Sequence, residues 1–309
     1  MWAAAWMVGA MLSAIAGGTA LADGGSLAVW HAGAWRTWWR AESAPARWSS
    51  ADDRLTRALQ WESLADGLDW ASVRMTCGAP AWRARVIVAR LDPRRLRLSL
   101  EMPRTAEARP SWAIDRTPED ALVALNAGQF VGGMPWGWVV VDGAQQLAPG
   151  HGPLASAVSI GATGEVRWTH GGATPDAQEV VTAFQSYPTL LAGNGTVPVA
   201  LRSAGSRVSR THRDARLALG QTRDGMLLVV MTRFDAAGEL ASGVPLGPTT
   251  PEMAAILGAL GACDAVMLDG GISAQLLLRG RERTLRLPGL RKVPLGLIAR
   301  ARRETTASR

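Results

Sequence analysis

Residues 266–274 read Val-Met-Leu-Asp-Gly-Gly-Ile-Ser-Ala, an apolar run that ends in a carboxylate, two glycines and a hydroxyl. An apolar run that stops at glycine is typical of a buried strand followed by a tight turn. Consecutive glycines let a ligand approach the backbone closely, and their N–H groups can face an anion. The stretch therefore predicts a strand whose carboxyl end presents Asp269, Ser273 and the backbone of Gly270 and Gly271.

The segment before this strand predicts a helix. Thr250 can cap it, Pro251 suits its first turn, and Glu252 suits its positive end. Residues 253–260 supply an apolar face, and Gly261 ends the pattern. The helix then leads through residues 263–265 directly into the strand that carries Asp269.

Strands and hairpin turns are predicted for most of the chain after residue 64. Apolar runs or alternating patterns indicate strands at 84–91, 96–100 and 121–125. Turn signals indicate hairpins at Asp142-Gly143, at 161–164 and at 223–225. This arrangement favours an α+β fold, with mixed, mainly antiparallel β-sheets and a few packed helices in a single catalytic domain.

The first 22 residues are uncharged and predict a signal peptide. Ala20 and Ala22 flank Leu21 in the small-x-small pattern of a cleavage site, which places the cut before Asp23. The segment lacks a positive n-region and is just long enough to span a bilayer, so it could instead remain as an anchor. We expect a periplasmic or secreted protein that touches a membrane only if this segment is uncleaved.

Residues 23–61 form an extension rich in tryptophan and arginine, followed by the main domain at 62–302 and a tail at 303–309. The tryptophans could stack on sugar rings or lie at a membrane surface, but packing against the neighbouring core is the favoured interpretation. Residues 51–61 predict a short helix. The aromatic and basic residues of the extension are Trp30, Trp35, Trp38, Trp39, Trp48, Trp61, Arg36, Arg40, Arg47, Arg54 and Arg57.

The formal net charge is +7, and Lys292 is the single lysine, so nearly all basic side chains are arginine. Arginine can bind two oxygens of a carboxylate or phosphate at once. The chain has no arginine-rich run with interleaved aromatic residues, so nucleic acid is not expected as a partner.

Cys77 and Cys263 are the two cysteines, and they could pair in an oxidising compartment or remain as two thiols. The sequence contains no paired Cys or His spacing that would indicate a zinc site. No metal or other cofactor is therefore predicted.

Four glycine turns follow apolar strands and carry polar side chains. Each alone is ordinary, but their order along the chain is informative. They lie at residues 126–130 (Asn-Ala-Gly-Gln-Phe), 188–195 (Pro-Thr-Leu-Leu-Ala-Gly-Asn-Gly), 213–220 (Arg-Asp-Ala-Arg-Leu-Ala-Leu-Gly) and 268–273 (Leu-Asp-Gly-Gly-Ile-Ser).

Together these turns make the chain resemble the phosphodiester glycosidase family. That family typically shows Asn-Gly-Gly-aromatic-Phe, Leu-x-x-Asn-Gly, Arg-Thr-Ala-(Ile/Leu)-Gly and Leu-Asp-Gly-Gly-Gly-Ser, which here correspond to 126–130, 191–195, 216–220 and 268–273. The opening 64–68, the helix at 247–260 and the closing 293–297 also fit. The resemblance covers residues 62–302.

The resemblance implies hydrolysis of a sugar that is linked through its anomeric carbon to a phosphodiester, in an envelope or extracellular glycan. Arg216 would hold the phosphate, and Asp269 would stabilise the oxocarbenium-like centre or activate water. Asn126 would complete the catalytic set by orienting sugar hydroxyls or water. The expected substrate-binding residues are Ser273, Gly270, Gly271, Gly128, Asn194 and Thr250.

The chain departs from the family pattern at Ala127, Gln129, Leu217 and Ile272. Three of them, Gln129, Leu217 and Ile272, support one alternative, a catalytically inactive envelope protein that binds anionic glycans. A second alternative is a metal-dependent phosphodiesterase, whose hard cation would need to be held by the acidic side chains Asp269, Asp235 and Glu239.

Other nucleophile and acid candidates have weaker support. Ser186 and Ser273 lack a Gly-x-Ser-x-Gly setting, which disfavours a serine hydrolase. His151 and His212 could act as general acids, although histidines on the surface are the simpler interpretation.

Overall fold

A computed structural model describes residues 25–77, 79–103, 105, 109–173, 176–203, 208–235 and 246–302. The predicted signal peptide at 1–22, the tail at 303–309 and Glu239 lie outside these ranges. In the described part of the chain, no helix has both the length and the apolar character needed to cross a membrane.

The largest sheet has nine strands and runs through the centre of the molecule. Its strands in spatial order are β15 (Thr189–Leu191), β18 (Ala262–Met267), β16 (Leu217–Thr222), β17 (Leu227–Phe234), β5 (Ala79–Leu91), β4 (Leu68–Cys77), β1 (Ser26–His31) and β2 (Ala34–Arg40), with β3 (Glu62–Ala65) paired to β4.

Two five-stranded sheets and a short ribbon complete the β-structure of the described residues. The second sheet contains β11 (Ala144–Leu147), β10 (Val139–Val141), β14 (Val180–Ser186), β12 (Ser156–Gly161) and β13 (Val166–His170). The third contains β20 (Thr284–Leu287), β19 (Leu276–Arg279), β7 (Ala121–Asn126), β21 (Gly296–Ala301) and β6 (Leu96–Glu101). The ribbon pairs β8 (Phe130–Val131) with β9 (Met134–Pro135).

The helices within the described ranges are few and mostly short, which agrees with the predicted α+β class. They are α1 (Asp53–Thr56), α2 (Val199–Arg202) and α3 (Thr250–Ala259), with 3-10 turns at Ala41–Ser43, Ile114–Arg116 and Gly271–Ser273. The strand pairings of all three sheets are antiparallel throughout the described part.

The predicted hairpins are confirmed. The β10–β11 turn places Asp142 at φ 49° and Gly143 at φ 78°, the left-handed backbone that a two-residue hairpin turn requires. The turns at 161–164 and 223–225 likewise connect β12 to β13 and β16 to β17. The predicted strands at 84–91 and 96–100 belong to different sheets, because β5 joins the large sheet and β6 the third.

The large sheet has an apolar core on each face. Along β17, Leu228 and Val230 enter the core beneath α3, whereas Val229 and Met231 enter the core shared with the other two sheets. A strand buried on both faces does not need alternating apolar and polar residues. This explains why the β17 sequence is a continuous apolar run.

The N-terminal extension is part of this architecture. β1 pairs with β4, so residues 26–40 extend the large sheet. Trp38, Trp39 and Trp48 lie in the core beneath α3, which confirms the packing interpretation for these tryptophans. Trp30 and Trp61 remain 38% exposed.

The α3 helix is capped by Thr249, not by Thr250 as predicted. Thr249 Oγ1 accepts from Glu252 N at 3.4 Å, and the Glu252 carboxylate accepts from Thr249 N at 2.9 Å. This reciprocal capping box uses both side chains, so Thr250 becomes the first helical residue and is only 4% exposed. The helix predicted within 51–61 is reduced to the four residues of α1, capped by Asp52.

Both cysteines are free thiols. Cys77 is fully buried in β4, and burial raises the pKa of its thiol. Cys263, in β18, is partly exposed, and burial raises the pKa of its thiol to about 11. The two residues therefore pack as small side chains and do not cross-link the sheet.

Candidate active site

The candidate site is built around the turn that follows β18. Asp269 N donates to Gly128 O at 3.0 Å, so the turn is held against the turn after β7. The chain then forms the 3-10 helix Gly271–Ser273, with Gly271 at φ 56°. Two of the predicted glycine turns thus meet at one place.

Asp269 is a half-buried carboxylate with a shifted pKa. Burial raises the pKa of Asp269, whereas a hydrogen bond from Ser273 and the positive charge of Arg291 oppose that shift. The negative charge of Asp214 raises it further. Perturbed carboxylates of this kind are common at functional sites.

Asn126 ties the two ends of the Asp269 turn together. Its Nδ2 donates to Asp269 O at 2.8 Å, and its Oδ1 accepts from Gln275 N at 3.0 Å. The residue is 1% exposed. Both amide atoms are committed to the backbone, so in this arrangement Asn126 positions the turn.

Arg216 enters the site from the start of β16. Its Nε donates to Pro248 O at 3.0 Å and its Nη2 to His212 O at 2.6 Å. Burial lowers the pKa of Arg216, and the charge of Asp214 opposes that shift. Two backbone carbonyls therefore fix the guanidinium, and its Nη1 makes no hydrogen bond to any described residue.

Asp214 is a site residue that the sequence interpretation did not select. A Cβ on Gly271 would lie 3.1 Å from Asp214 Oδ2, so the carboxylate rests directly on the glycine turn. Its Oδ1 is buried and has no hydrogen-bond partner among the described residues. Its Oδ2 lies 3.7 Å from His212 Nε2.

Asp214 interacts electrostatically with both Arg216 and Asp269, two of the predicted catalytic residues. Burial raises the pKa of Asp214, while Arg216 lowers it, and Asp214 in turn acts on Asp269. No ion pair joins Arg216 to Asp269 directly among the described side chains. The signal that could have identified Asp214 is the run of charged residues at 212–216, just before the strand.

Arg291 is a second cation that the sequence interpretation missed. Its guanidinium carbon lies 4.8 Å from the centre of the Phe130 ring, and the residue is exposed. Arg291 lies just before the closing motif at 293–297. Its positive charge favours the ionised form of Asp269. Phe130 belongs to the first glycine motif, so the aromatic residue of that motif supports a cation beside the site.

The predicted glycine cradle is only partly available. Gly271 N donates to Ala215 O at 2.8 Å, so this N–H does not face a phosphate as expected. Gly128, at φ 68°, contributes its carbonyl to Asp269 N. Gly270 allows the turn to approach the segment before β16, since a Cβ at this position would lie 2.5 Å from Ala215 O.

Two predicted substrate-binding residues, Asn194 and Thr250, differ in where the structure places them. Asn194 is in the turn after β15, where its carbonyl accepts from Arg47 Nε at 3.1 Å. The next residue, Gly195, bonds Cys263 O at the start of β18, so Asn194 is at the end of that strand opposite to Asp269. Thr250 is two residues after Pro248, whose carbonyl accepts from Arg216 Nε. The side chain of Thr250 is buried.

The departures from the family pattern differ in their placement. Leu217 and Ala127 are buried in the core between the large sheet and the other two sheets. Ile272 is 46% exposed and lies in the 3-10 turn between Asp269 and Ser273. Of these three residues, Ile272 is the one placed to contact a bound molecule.

The acidic residues of the metal alternative are not gathered in the described structure. No group of three or more His, Cys, Asp or Glu side chains that could hold an ion occurs in the described ranges. Asp235 pairs instead with Arg74, at 3.0 Å.

A separate polar cluster connects β13 to β18. His170 Nε2 lies 2.8 Å from Asp264 Oδ1, and His170 Nδ1 lies 2.7 Å from Ser156 Oγ. Thr189 Oγ1 donates to Leu154 O, so Ser156 must donate to Thr189 and accept from His170. Ser156 is fully buried, so this serine, histidine and aspartate join two sheets and offer no exposed nucleophile.

Comparisons with known proteins agree with this fold. The model of the phosphodiester glycosidase family matches residues 119–300, a range that contains Asn126, Asp214, Arg216, Asp269 and Arg291. No curated protein matches the chain in sequence.

Two solved structures share the fold at low sequence identity. The catalytic domain of zebrafish N-acetylglucosamine-1-phosphodiester alpha-N-acetylglucosaminidase is 16% identical, with a TM-score of 0.58, over 79% of this chain and 88% of that one. A hypothetical protein from Synechocystis is also 16% identical, with a TM-score of 0.50, over 79% of this chain and 64% of that one. The family model spans more than half of the chain, and its range contains the residues of the Asp269 turn. The chain therefore belongs to the phosphodiester glycosidase family.

Proposed function

We propose that the protein is an exported hydrolase that cleaves a sugar from a glycosyl-1-phosphodiester in an envelope or extracellular glycan. Family membership supports the reaction type. The observation that carries the proposal is the pair of partly buried carboxylates, Asp269 and Asp214, at one glycine turn with Arg216 and Arg291 beside them.

The reaction breaks the bond between the anomeric carbon and the phosphate oxygen. Positive charge develops on the sugar as this bond lengthens, and negative charge develops on the departing phosphate. Asp269 is assigned to the anomeric centre, where its carboxylate stabilises the positive charge. The phosphate is a good leaving group, so the site needs cations more than a strong acid.

Arg216 and Arg291 are both assigned to binding the phosphate. Arg216 is immobilised by Pro248 O and His212 O, which leaves Nη1 to donate toward a ligand. Arg291 is exposed and stacked on Phe130, so its guanidinium can contact a second oxygen. Groups fixed before the substrate arrives need little reorganisation during the reaction.

Asp214 is assigned to proton transfer. Water attacks the anomeric carbon, the new bond forms between carbon and oxygen, and the proton of the water passes to the Asp214 carboxylate. Glycosidases commonly separate charge stabilisation and proton transfer between two carboxylates. The raised pKa of Asp214 makes it a better proton acceptor than an ordinary aspartate.

Export is proposed from the uncharged segment at 1–22 and its Ala20-Leu21-Ala22 ending. If it is correct, mass spectrometry of the protein from the periplasm or medium will find Asp23 at the N-terminus. An intact Met1 in a membrane fraction would instead identify the segment as an anchor.

The activity is tested by incubating the purified protein with a panel of sugar-1-phosphodiesters and measuring released reducing sugar. Turnover that is lost in Asp269→Asn supports the proposal. Ligand binding without turnover in the unmodified protein would favour the inactive glycan-binding alternative, for which the exposed Ile272 is the supporting feature.

A further inference from the structure

Three arginines stand side by side across β4, β5 and β17. Arg74 is directly opposite Arg85, and Arg85 is directly opposite Arg233. Residues opposite each other in neighbouring strands share a face of the sheet. We call Arg74, Arg85 and Arg233 the arginine row. Like charges in this arrangement destabilise a sheet unless other groups offset them.

Hydrogen-bond acceptors compensate the positive charges of Arg74 and Arg233, at the two ends of the arginine row. Arg74 Nε donates to Asp235 Oδ2 at 3.0 Å. Arg233 is 7% exposed and donates to two backbone carbonyls, Ala274 O at 2.8 Å and Pro288 O at 3.0 Å.

The middle member, Arg85, has the least compensation. It is exposed, and its side chain donates to Ser72 Oγ at 3.3 Å. Among the described residues no carboxylate forms an ion pair with it. A positive charge therefore remains at the centre of the arginine row.

A cavity of about 390 Å³ opens at this charge. Its lining includes Trp30, Ser72, Arg74, Arg85 and Asp235. This volume is within the range of about 300–1,000 Å³ that small-molecule sites occupy. An indole face suits the apolar face of a sugar ring, a hydroxyl suits its polar rim, and a guanidinium suits an anionic substituent.

The inner end of the row reaches the candidate active site. Arg233 bonds Ala274 O, and Ala274 directly follows Ser273 in the Asp269 turn. Trp30 marks the outer end, 38% exposed and packed edge-on against Trp35 with ring centres 5.3 Å apart. The large sheet thus connects the two places through one row of side chains.

We propose that Arg85, the middle member of the arginine row, and Trp30 form a second binding site, which holds an anionic sugar unit of an extended glycan. Arg85 pairs with the negative substituent, and Trp30 stacks on the ring. That this glycan is also the substrate rests on the proposed function. The binding itself does not, because it requires no bond to be broken.

Isothermal titration calorimetry of the purified protein tests the site with three probes of matched length: dextran sulfate, neutral dextran and sodium polyphosphate. Dextran sulfate is expected to bind best because it offers both rings and charges, and neutral dextran to bind least. Arg85→Ala is expected to weaken dextran sulfate binding about tenfold, the loss typical of one charge-assisted contact. Trp30→Ala is expected to reduce dextran sulfate binding to the level of polyphosphate.

The matched control is Arg57→Ala, which removes an exposed arginine directly after α1 that pairs with Asp53 outside this cavity. Its binding should equal that of the unmodified protein. Equal losses in Arg85→Ala and Arg57→Ala would show unspecific charge attraction and overturn the proposal, as would unchanged binding in Arg85→Ala. Asp269→Asn should bind dextran sulfate normally even though turnover is lost, which separates this proposal from the proposed function.

Discussion

Asp214 and Asp269 are carboxylates that the fold holds partly away from water, and burial raises the pKa of each. A raised pKa means that the folded protein binds the proton more tightly than the unfolded chain does. Ionisation of these groups therefore costs stability as the pH rises through their folded-state pKa values. The proposed mechanism accounts for this cost in stability, because it requires two ionised carboxylates close together.

The Asp214→Asn variant is expected to have a higher thermal stability and a lower activity than the unmodified protein. At pH 7, Asp214→Asn is expected to raise Tm by about 2 °C because it removes a poorly solvated charge. It is also expected to lower kcat by roughly 100-fold, since the proton acceptor is lost. Thermal unfolding and sugar-release kinetics measure the two effects. The exposed Asp115→Asn serves as control, and an unchanged kcat in Asp214→Asn would remove Asp214 from the mechanism.

Asn126 should matter mainly for the integrity of the turn. Asn126→Ala leaves Asp269 O and Gln275 N buried without their partner and is expected to cost about 2–3 kcal/mol in the free energy of unfolding. Asn126→Asp retains the acceptor for Gln275 N but loses the donor to Asp269 O and buries a carboxylate, so its cost should be at least as large. Urea unfolding measures both variants. Equal stability of Asn126→Ala and the unmodified protein would contradict the positioning role.

Among the secondary-structure elements, the contact between β13 and β18 joins two sheets at the start of β18, the end of that strand opposite to Asp269. Burial by itself would raise the pKa of Asp264, but the hydrogen bond and charge of His170 outweigh it, so the pKa lies below its usual value. A lowered carboxyl pKa stabilises the fold above the unfolded-state pKa, and this contribution is lost as the pH falls through the folded-state pKa.

Asp264→Asn is therefore expected to destabilise the protein by about 1–2 kcal/mol at pH 7. The difference from the unmodified protein should shrink once the pH falls below the usual range of aspartate. Urea unfolding at a series of decreasing pH values tests this dependence. A difference that stays constant with pH would show that the contact with His170 is not ionic.

In the whole molecule, the N-terminal extension packs against α3. A Cβ on Gly258 would overlap the Trp48 ring, so the helix has glycine where the extension crosses it. Trp48 N also donates to Gly195 O at 2.8 Å. The extension and the main domain are consequently packed as one core.

Gly258→Ala tests this packing. In an isolated helix the change would stabilise by about 1 kcal/mol, but here the overlap with Trp48 should destabilise by about 2 kcal/mol. In the double variant with Trp48→Ala the two losses should be less than additive. Urea unfolding gives the free energies, and Gly152→Ala is the control because its Cβ would meet no atom within 4 Å. Additive losses would place Trp48 away from α3.

Local signals were sufficient for much of the fold. The Asp142-Gly143 hairpin and the first turn of α3 depend on backbone preferences within a few residues, so they could be predicted without knowledge of distant partners. Thr249 replaces Thr250 as the cap because a capping box requires the hydroxyl three residues before Glu252, and Thr249 has that spacing.

Only some of the residues at the candidate site could be predicted from the sequence. Asp269, Arg216 and Asn126 stand in glycine motifs whose order is a property of the chain itself. Asp214 and Arg291 became site residues only because β16 and the closing segment pack beside the Asp269 turn. Asn194 lies away from Asp269 because its motif packs against the start of β18, whereas Asp269 follows the end of that strand.

The mainly antiparallel fold and the family could be predicted from the chain alone, and Asp269 was predicted as the principal carboxylate, because strand periodicity, turn chemistry and motif order are encoded locally. Which charges face each other depends on the folded arrangement. Strand register set Arg74, Arg85 and Arg233 in one row, and close packing of glycine turns brought Asp214 to Asp269. Electrostatic interactions depend on distance and burial in space, and separation along the chain specifies neither.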